Sequence, residues 1–364
     1  MTAFKSSIKS TELPSFQDRP PHVAIVILNW NGRDDTLACL ASVAGMTYPN
    51  FRVIVVDNGS ADDSVAAIRS AFPDVEIIET GRNLGFAGGN NVGIRHALER
   101  GADYILLLNN DTEVDSGMLD AFVAAAGHFP DAGVFSGKIY FHAEPNRIWY
   151  AGAQWNPKNA RFDLLGEGLL DDGTNFSNTC ETGYACGCAF FLPAGRLREI
   201  GLLDEDFFLY FEETDWCYRA KAAGHPSIFV PDAKLWHKVS VSFGGEGSPL
   251  ALYFITRNRL LWARRHASMT TRLRVYGTAA WSLVARFGAA LVGRRMGGAF
   301  TLRRWWWSVR EAIDDPRNRA YYMGFRDFWL GRFGDCPPVV RELAQQIRSR
   351  QAQLSRNAAE AEIR

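Results

Sequence analysis

The sequence has no uncharged stretch of the ~18–20 residues that a spanning helix requires, so a helical membrane span is excluded. It also has no N-terminal apolar run of signal-peptide type. Residues 1–21 are polar, hold Pro14, Pro20 and Pro21, and read as a loose arm. Cysteine is sparse: the six residues at 39, 180, 186, 188, 217 and 336 are scattered and contain no pair of CxxC spacings. That excludes a disulfide framework and a zinc ribbon. Cys186 and Cys188 stand one residue apart without further ligands beside them, so they read as small buried residues, and a reducing compartment is the simpler setting. Neither charge dominates, since 40 basic and 40 acidic residues cancel, which disfavours a general nucleic-acid partner.

Two common nucleotide-binding glycine patterns are missing as well. The glycines at 85, 88, 89 and 93 do not spell GxGxxG, and they follow the third strand of the chain instead of the first. The stretch GVFSGK at 133–138 is one residue short of a Walker A loop and lacks the Ser or Thr that must follow. Nicotinamide and P-loop chemistries are therefore set aside.

What is there is core-forming material. With 47% apolar and 22% charged residues in a 364-residue chain, one large domain or two ordinary ones can bury a core. Short uninterrupted apolar runs at 23–28 (VAIVIL) and 104–108 (YILLL) read as strands buried on both faces, and 51–56 (FRVIVV) and 75–78 (VEII) read as further strands. Helical patterns separate them, so βαβ units and a mainly parallel sheet are predicted. Residues 184–192 and 228–230 are further strand candidates.

Three of these runs end in polar clusters: Asn29-Trp30-Asn31-Gly32, Asp57-Asn58-Gly59-Ser60 and Asn109-Asn110-Asp111. Ligands of open α/β sheets bind outside the carboxyl ends of strands, so the clusters outline a crevice. Asp111 offers a hard anionic oxygen suited to Mg²⁺ or Mn²⁺ bound with substrate phosphates, although Asn-Asn-Asp-Thr is also ordinary turn chemistry. Asp57 could accept a hydrogen bond from a pyrimidine imide N–H. The loop from Asn83 through Gly85 to Asn90 could bring backbone close to a ribose or diphosphate, or be a helix start capped by Asn.

A second cluster lies at Glu212-Glu213-Thr214-Asp215, opening a predicted helix that ends at Gly224. Acids there complement the helix dipole, and Asp215 can pair with Arg219 at i,i+4; the same field keeps a carboxylate ionised, as a general base must be. His237 could be a neutral imidazole ligand for the ion held by Asp111, or a structural histidine. Residues 257–310 are rich in Arg and Trp and poor in acids, fitting helices at a membrane interface or a helical cap on the catalytic domain. After Pro337 and Pro338, the residues Val340, Leu343, Ile347 and Leu354 form a short helical pairing pattern.

Together these stretches resemble the family 2 glycosyltransferases with the GT-A fold, in particular the bacterial branch that includes rhamnosyltransferases. The resemblance rests on ILNWNG at 27–32, VVDNGSADDS at 55–64, NLGFAGGNNVGI at 83–94, LLNNDTEV at 107–114, GLLDEDFFLYFEETDWCYR at 201–219, WH at 236–237 and YFITRNRLLWARRH at 253–266. It implies an arm at 1–21, a GT-A catalytic domain at 22–265, a C-terminal helical region at 266–335 and a helical tail at 336–364. It further implies Asn29, Asn31, Asp57, Asn83, Gly85, Asn90, Asn109, Asn110 and Asp111 at the nucleotide-sugar, with Asp111 and His237 on Mg²⁺ or Mn²⁺. Asn109 stands where the family's DxD element has its first Asp. Glu213 is the implied base, ahead of Asp215 and Glu212. The implied reaction is an inverting transfer, from dTDP-L-rhamnose or from a UDP-sugar such as UDP-galactofuranose. The acceptor would be a saccharide or polyprenyl-linked saccharide, in cell-surface polysaccharide synthesis on the inner face of the cytoplasmic membrane. A homo-oligomer stays open. Two rivals are a sugar nucleotidylyltransferase and a non-catalytic nucleotide-sugar-binding scaffold of a membrane assembly.

Overall fold

The computed structural model describes residues 19–156, 161–238, 247–291 and 310–362. Most of the expected N-terminal arm and the Arg/Trp-rich stretch at 292–309 lie outside them. The strands are β1 (Val23–Asn29), β2 (Phe51–Asp57), β3 (Glu76–Glu79), β4 (Tyr104–Asn109), β5 (Thr112–Val114), β6 (Val134–Phe141), β7 (Glu144–Tyr150), β8 (Ala153–Asn156), β9 (Arg161–Leu164), β10 (Cys180–Thr182), β11 (Ala189–Pro193) and β12 (Ser227–His237). The helices of the sheet region are α1 (Arg33–Ala44), α2 (Ser64–Ala71), α3 (Gly85–Glu99), α4 (Met118–His128), α5 (Ala194–Ile200) and α6 (Glu212–Ala222).

The sheet order is β10-β12-β6-β11-β4-β1-β2-β3, with β5 and β7 added on β12 and β6. β4, β1, β2 and β3 are mutually parallel, as the apolar runs predict. β11 runs antiparallel between β4 and β6, so the sheet is mixed beyond β4. β1 shows why its run has no alternation. Val23, Ile25 and Ile27 face a core built with Cys39, Leu40 and Val43 of α1 and Phe122 of α4. Ala24 and Val26 face a second core built with Ala87 and Ile94 of α3 and Trp216 of α6. Both faces are covered, so both need apolar side chains. At Gly89 and Gly93 an added Cβ would collide with Leu28 and Val26, so these glycines let α3 lie close on the sheet.

The helices that follow include α7 (Pro249–His266), α8 (Met269–Leu291), α9 (Pro316–Trp329) and α10 (Pro338–Glu362). α7 begins at a Ser248 cap whose side chain accepts from Ala251 N, with Pro249 in the first turn, and Arg264, Arg265 and His266 complement its carboxyl end. Tyr253 and Phe254 of α7, Ala320 and Met323 of α9, and Val340 and Leu343 of α10 form one core, which also takes Phe208 and Leu209 from the loop before α6. Val340 and Leu343 of the tail's pairing pattern are thus used within the chain. No helix among the described residues is long and apolar enough to cross a membrane.

Candidate active site

Parallel register sets Asn29 directly beside Asp57 at the strand tips. Asn29 Nδ2 donates to Asp57 Oδ1 at 2.8 Å and to Ser60 Oγ at 3.1 Å, while its Oδ1 accepts from Thr36 Oγ1 at 2.8 Å. Asp57 Oδ2 accepts from Ser60 N at 3.0 Å. Asn31, in the left-handed region at φ 51°, donates its N–H to Ser60 Oγ and accepts from Ala61 N. Buried polar groups must find such partners, and the result is a carboxylate fixed at the crevice floor.

The Asn83 loop is read differently by the structure. Asn83 Oδ1 accepts from Gly85 N at 2.8 Å and from Asn58 Nδ2 at 3.2 Å. The amides of Phe86 and Ala87, at the start of α3, donate to Phe208 O. Gly85 has φ +76°, and an added Cβ would strike Phe208. Asn90 Nδ2 donates to Phe86 O within the helix. The close approach at Gly85 is made to Phe208, whose carbonyl accepts from the Phe86 and Ala87 N–H groups. Asn83 still lines an open cleft of about 550 Å³ that runs past Trp30 and Arg82 to Arg341 of α10.

At the end of β4 the polar triplet divides. Asn109 O accepts from Thr112 Oγ1 at 2.6 Å as turn chemistry, and Asn110 Nδ2 donates to Thr36 Oγ1 of α1 at 2.9 Å. Asp111 is different. Antiparallel pairing of β5 with β12 sets Thr112 opposite His237, and this brings His237 Nε2 to 3.2 Å from Asp111 Oδ1. Both side chains are buried. The His237 ring lies 4.9 Å from that of Trp149, and its Nδ1 lies 3.6 Å from Cys188 Sγ.

The acids of α6 separate too. Phe211, the residue before the helix, is left-handed at φ 78°. Glu212 Oε2 and Glu213 Oε2 are buried with no hydrogen-bond partner among the described residues. Burial pushes both carboxyls upward from the ordinary glutamate range; the neighbouring Glu213 adds to the effect on Glu212, and backbone amides at 213 and 214 oppose it on Glu213. Asp215 is equally buried, yet its carboxyl is held low: desolvation is outweighed by His266 Nε2 at 2.7 Å and Arg219 Nε at 2.8 Å. At 1% exposure, Asp215 has one oxygen in an ion pair with Arg219 and the other hydrogen-bonded to His266. Glu213 sits against Gly187, where an added Cβ would be 3.6 Å from its Cγ. Cys188, the next residue, touches His237. One turn of chain thus separates the unpaired acid from the Asp111–His237 pair.

Sequence reasoning gave no role to Cys188, His266, Arg257 or Asn258.

A mixed sheet with polar strand tips, a buried carboxylate–imidazole pair and a helix-borne acid defines a sugar-nucleotide-type transferase fold. Residues 24–190 match the sequence model of Glycosyl transferase family 2, so the chain carries a domain of that glycosyltransferase family. Among its relatives is an N-acetylglucosaminyl-diphospho-decaprenol L-rhamnosyltransferase of Mycobacterium tuberculosis, 27% identical over 227 residues that make up 56% of this chain and 72% of the relative. Another is the dTDP-rhamnosyl transferase RfbF of Shigella flexneri, 25% identical over 259 residues, 67% of this chain and 81% of that one. The fold is shared with the mannosyltransferase PcManGT from Pyrobaculum calidifontis, solved in complex with GDP-Man and Mn²⁺. Its TM-score is 0.51 at 15% identity, covering 86% of this chain and 89% of that one. The architecture is GT-A.

Proposed function

We propose that this protein transfers L-rhamnose from dTDP-L-rhamnose, with inversion, onto a saccharide or polyprenyl-linked saccharide in cell-surface polysaccharide synthesis. The names of the two relatives support the donor and the acceptor class. The observation that carries the chemistry is the juxtaposition of the Asp111–His237 pair with the unpaired carboxylate of Glu213 across Gly187 and Cys188.

Asp57, fixed by Asn29, accepts from the pyrimidine imide, and the indole of Trp30 and the guanidinium of Arg82 line the adjoining cleft. Among the described residues no three His, Cys, Asp or Glu side chains converge on a metal site. A carboxylate and an imidazole side by side nevertheless fit a divalent ion that takes its remaining ligands from phosphate and water. Asp111 and His237 would hold Mg²⁺ or Mn²⁺, which supplies charge neutralisation for the departing diphosphate. Glu213 accepts the proton of the acceptor hydroxyl as its oxygen bonds to the anomeric carbon and the bond to the diphosphate oxygen breaks. One in-line displacement inverts that carbon once. A carboxyl pushed upward by burial is a stronger base than a solvated one.

The protein would work at the inner membrane face, where Leu273 and Trp281 of α8, both exposed, would meet the interface. The test of function is a donor-binding and hydrolysis screen with dTDP-rhamnose, UDP-galactofuranose, UDP-glucose and UDP-GlcNAc. Each is run with Mg²⁺, Mn²⁺ or EDTA on the wild type and Asp111→Ala. Metal-dependent binding of dTDP-rhamnose, lost in Asp111→Ala, is the expected result. Preference for a UDP-sugar would replace the donor, and binding indifferent to metal and Asp111 would move the scaffold reading to the front.

A further inference from the structure

The loop that delivers Glu213 is held in an unusual path. Phe208, Tyr210 and Phe211 all have positive φ, at 63°, 66° and 78°. None is a glycine, asparagine or aspartate, so each pays a steric cost at its Cβ, and such a run persists only where its surroundings over-determine it.

The surroundings are two polar side chains buried in α7. Asn258, 0% exposed, turns its single amide group on three carbonyls: Phe207 O at 2.8 Å, Leu209 O at 2.7 Å and Tyr210 O at 2.8 Å. Two hydrogens serve three acceptors, so one bond is shared. Arg257, also 0% exposed, holds the amide in place by donating Nε–H to Asn258 Oδ1 at 2.9 Å. Its other nitrogens donate to Asp206 O, Phe207 O and Gly334 O. The same loop presents Phe208 O to the amides that start α3. At the far end of the loop, Asp215 N donates to Phe211 O at the start of α6.

We infer that Asn258, braced by Arg257, is a positioning residue of the transfer reaction: it locks the left-handed 208–211 path and so fixes where the α6 start presents the Glu213 carboxylate. The inference rests on the reading of Glu213 as the base. Asn258 is behind the loop and reaches the reaction only through it. A clamp of this kind acts on the chemical step and leaves donor binding at Asp57 and Asp111 alone.

The experiment compares wild type, Asn258→Ala, Tyr210→Gly and the double variant in the full chain, below their melting transitions. It measures kcat, donor KM, donor affinity and the pH profile of kcat. Asn258→Ala is expected to lower kcat on the order of 100-fold, the scale of a small misplacement of a reacting group, with donor KM within about twofold. The pH at which kcat rises should move, because the Glu213 carboxyl leaves its burial site. Glycine adopts positive φ freely, so Tyr210→Gly should restore about tenfold of the lost kcat in the Asn258→Ala background. A role confined to stability predicts the reverse, since the added glycine loosens the unfolded chain and weakens the fold further. Unchanged kcat in folded Asn258→Ala, or parallel loss of kcat and donor affinity with no rescue, overturns the inference. Glu213→Gln is run beside them. Full activity there removes the reading of the base, whereas an inactive Glu213→Gln with an unaffected Asn258→Ala removes only the positioning role.

Discussion

The two walls of the crevice treat buried polar groups in opposite ways. Along the tips of β1 and β2, Asn29, Asp57 and Ser60 satisfy one another within a few ångströms. At the start of α6, Glu212 and Glu213 each keep a buried carboxylate oxygen without a hydrogen bond, two residues ahead of an Asp215 that is fully paired. A satisfied network sets geometry at little cost, while an unsatisfied buried carboxylate costs stability and is poised to take a proton. The comparison separates a wall that holds a ligand still from a wall that reacts with it.

The strongest way to break this contrast is Glu213→Gln. We expect kcat to fall by about 10²–10⁴-fold with donor affinity unchanged. Stability should hold or rise, since a neutral amide replaces a carboxyl that burial disfavours. Turnover assayed beside urea unfolding checks both halves, and an active variant would erase the distinction between the walls. Next in size is Asp215→Ala. It strips Arg219 and His266 of their shared partner and should cost about 3 kcal/mol, the lower end for a broken buried pair because Arg219 keeps its bonds to Ile200 O and Leu202 O. Denaturant midpoints read it directly. Third is Asn29→Ala on the satisfied wall. Loss of its bonds should cost about 1–3 kcal/mol and weaken donor binding by freeing Asp57 to turn, with kcat at saturating donor nearly unchanged. A large kcat loss there would place chemistry on the wrong wall.

How much of this the sequence disclosed follows from the range of the interactions. β1 and β4 were legible because burial on both faces leaves an uninterrupted apolar run, and the acids at 57, 111 and 212–215 were legible as chemical types at strand and helix ends. The antiparallel insertion of β11 was not, since strand direction depends on partners eighty residues away: Phe191 pairs with Leu106. The contact of Gly85 with Phe208 was not legible, because a glycine needed for close approach to a side chain looks the same in sequence as one needed for a phosphate. Nor was the arrival of His266 from α7 at Asp215, fifty-one residues away in sequence. Arg257 and Asn258 read as a polar face of α7, and three-dimensional packing alone turns that face inward.

The finest test of the contrast is the pH dependence of stability, where the two kinds of carboxyl must pull in opposite directions. The Asp215 carboxyl is held below its unfolded value of roughly 3.9. The folded state therefore binds its proton more weakly than the unfolded state does. Its contribution is complete above that value and is lost as pH falls through the folded one. Glu212 is pushed above its unfolded value of roughly 4.3, so the folded state binds its proton more tightly. Its effect is most favourable below that value and is lost as pH rises through the folded one. Glu212→Gln should then flatten the decline in the urea midpoint on the alkaline side and leave the acid limb as it is. Asp215→Asn should flatten the acid limb and leave the alkaline side. If Glu212→Gln instead alters the acid limb, its carboxyl is paired in solution as Asp215 is, and the difference between the two walls narrows to Glu213 alone.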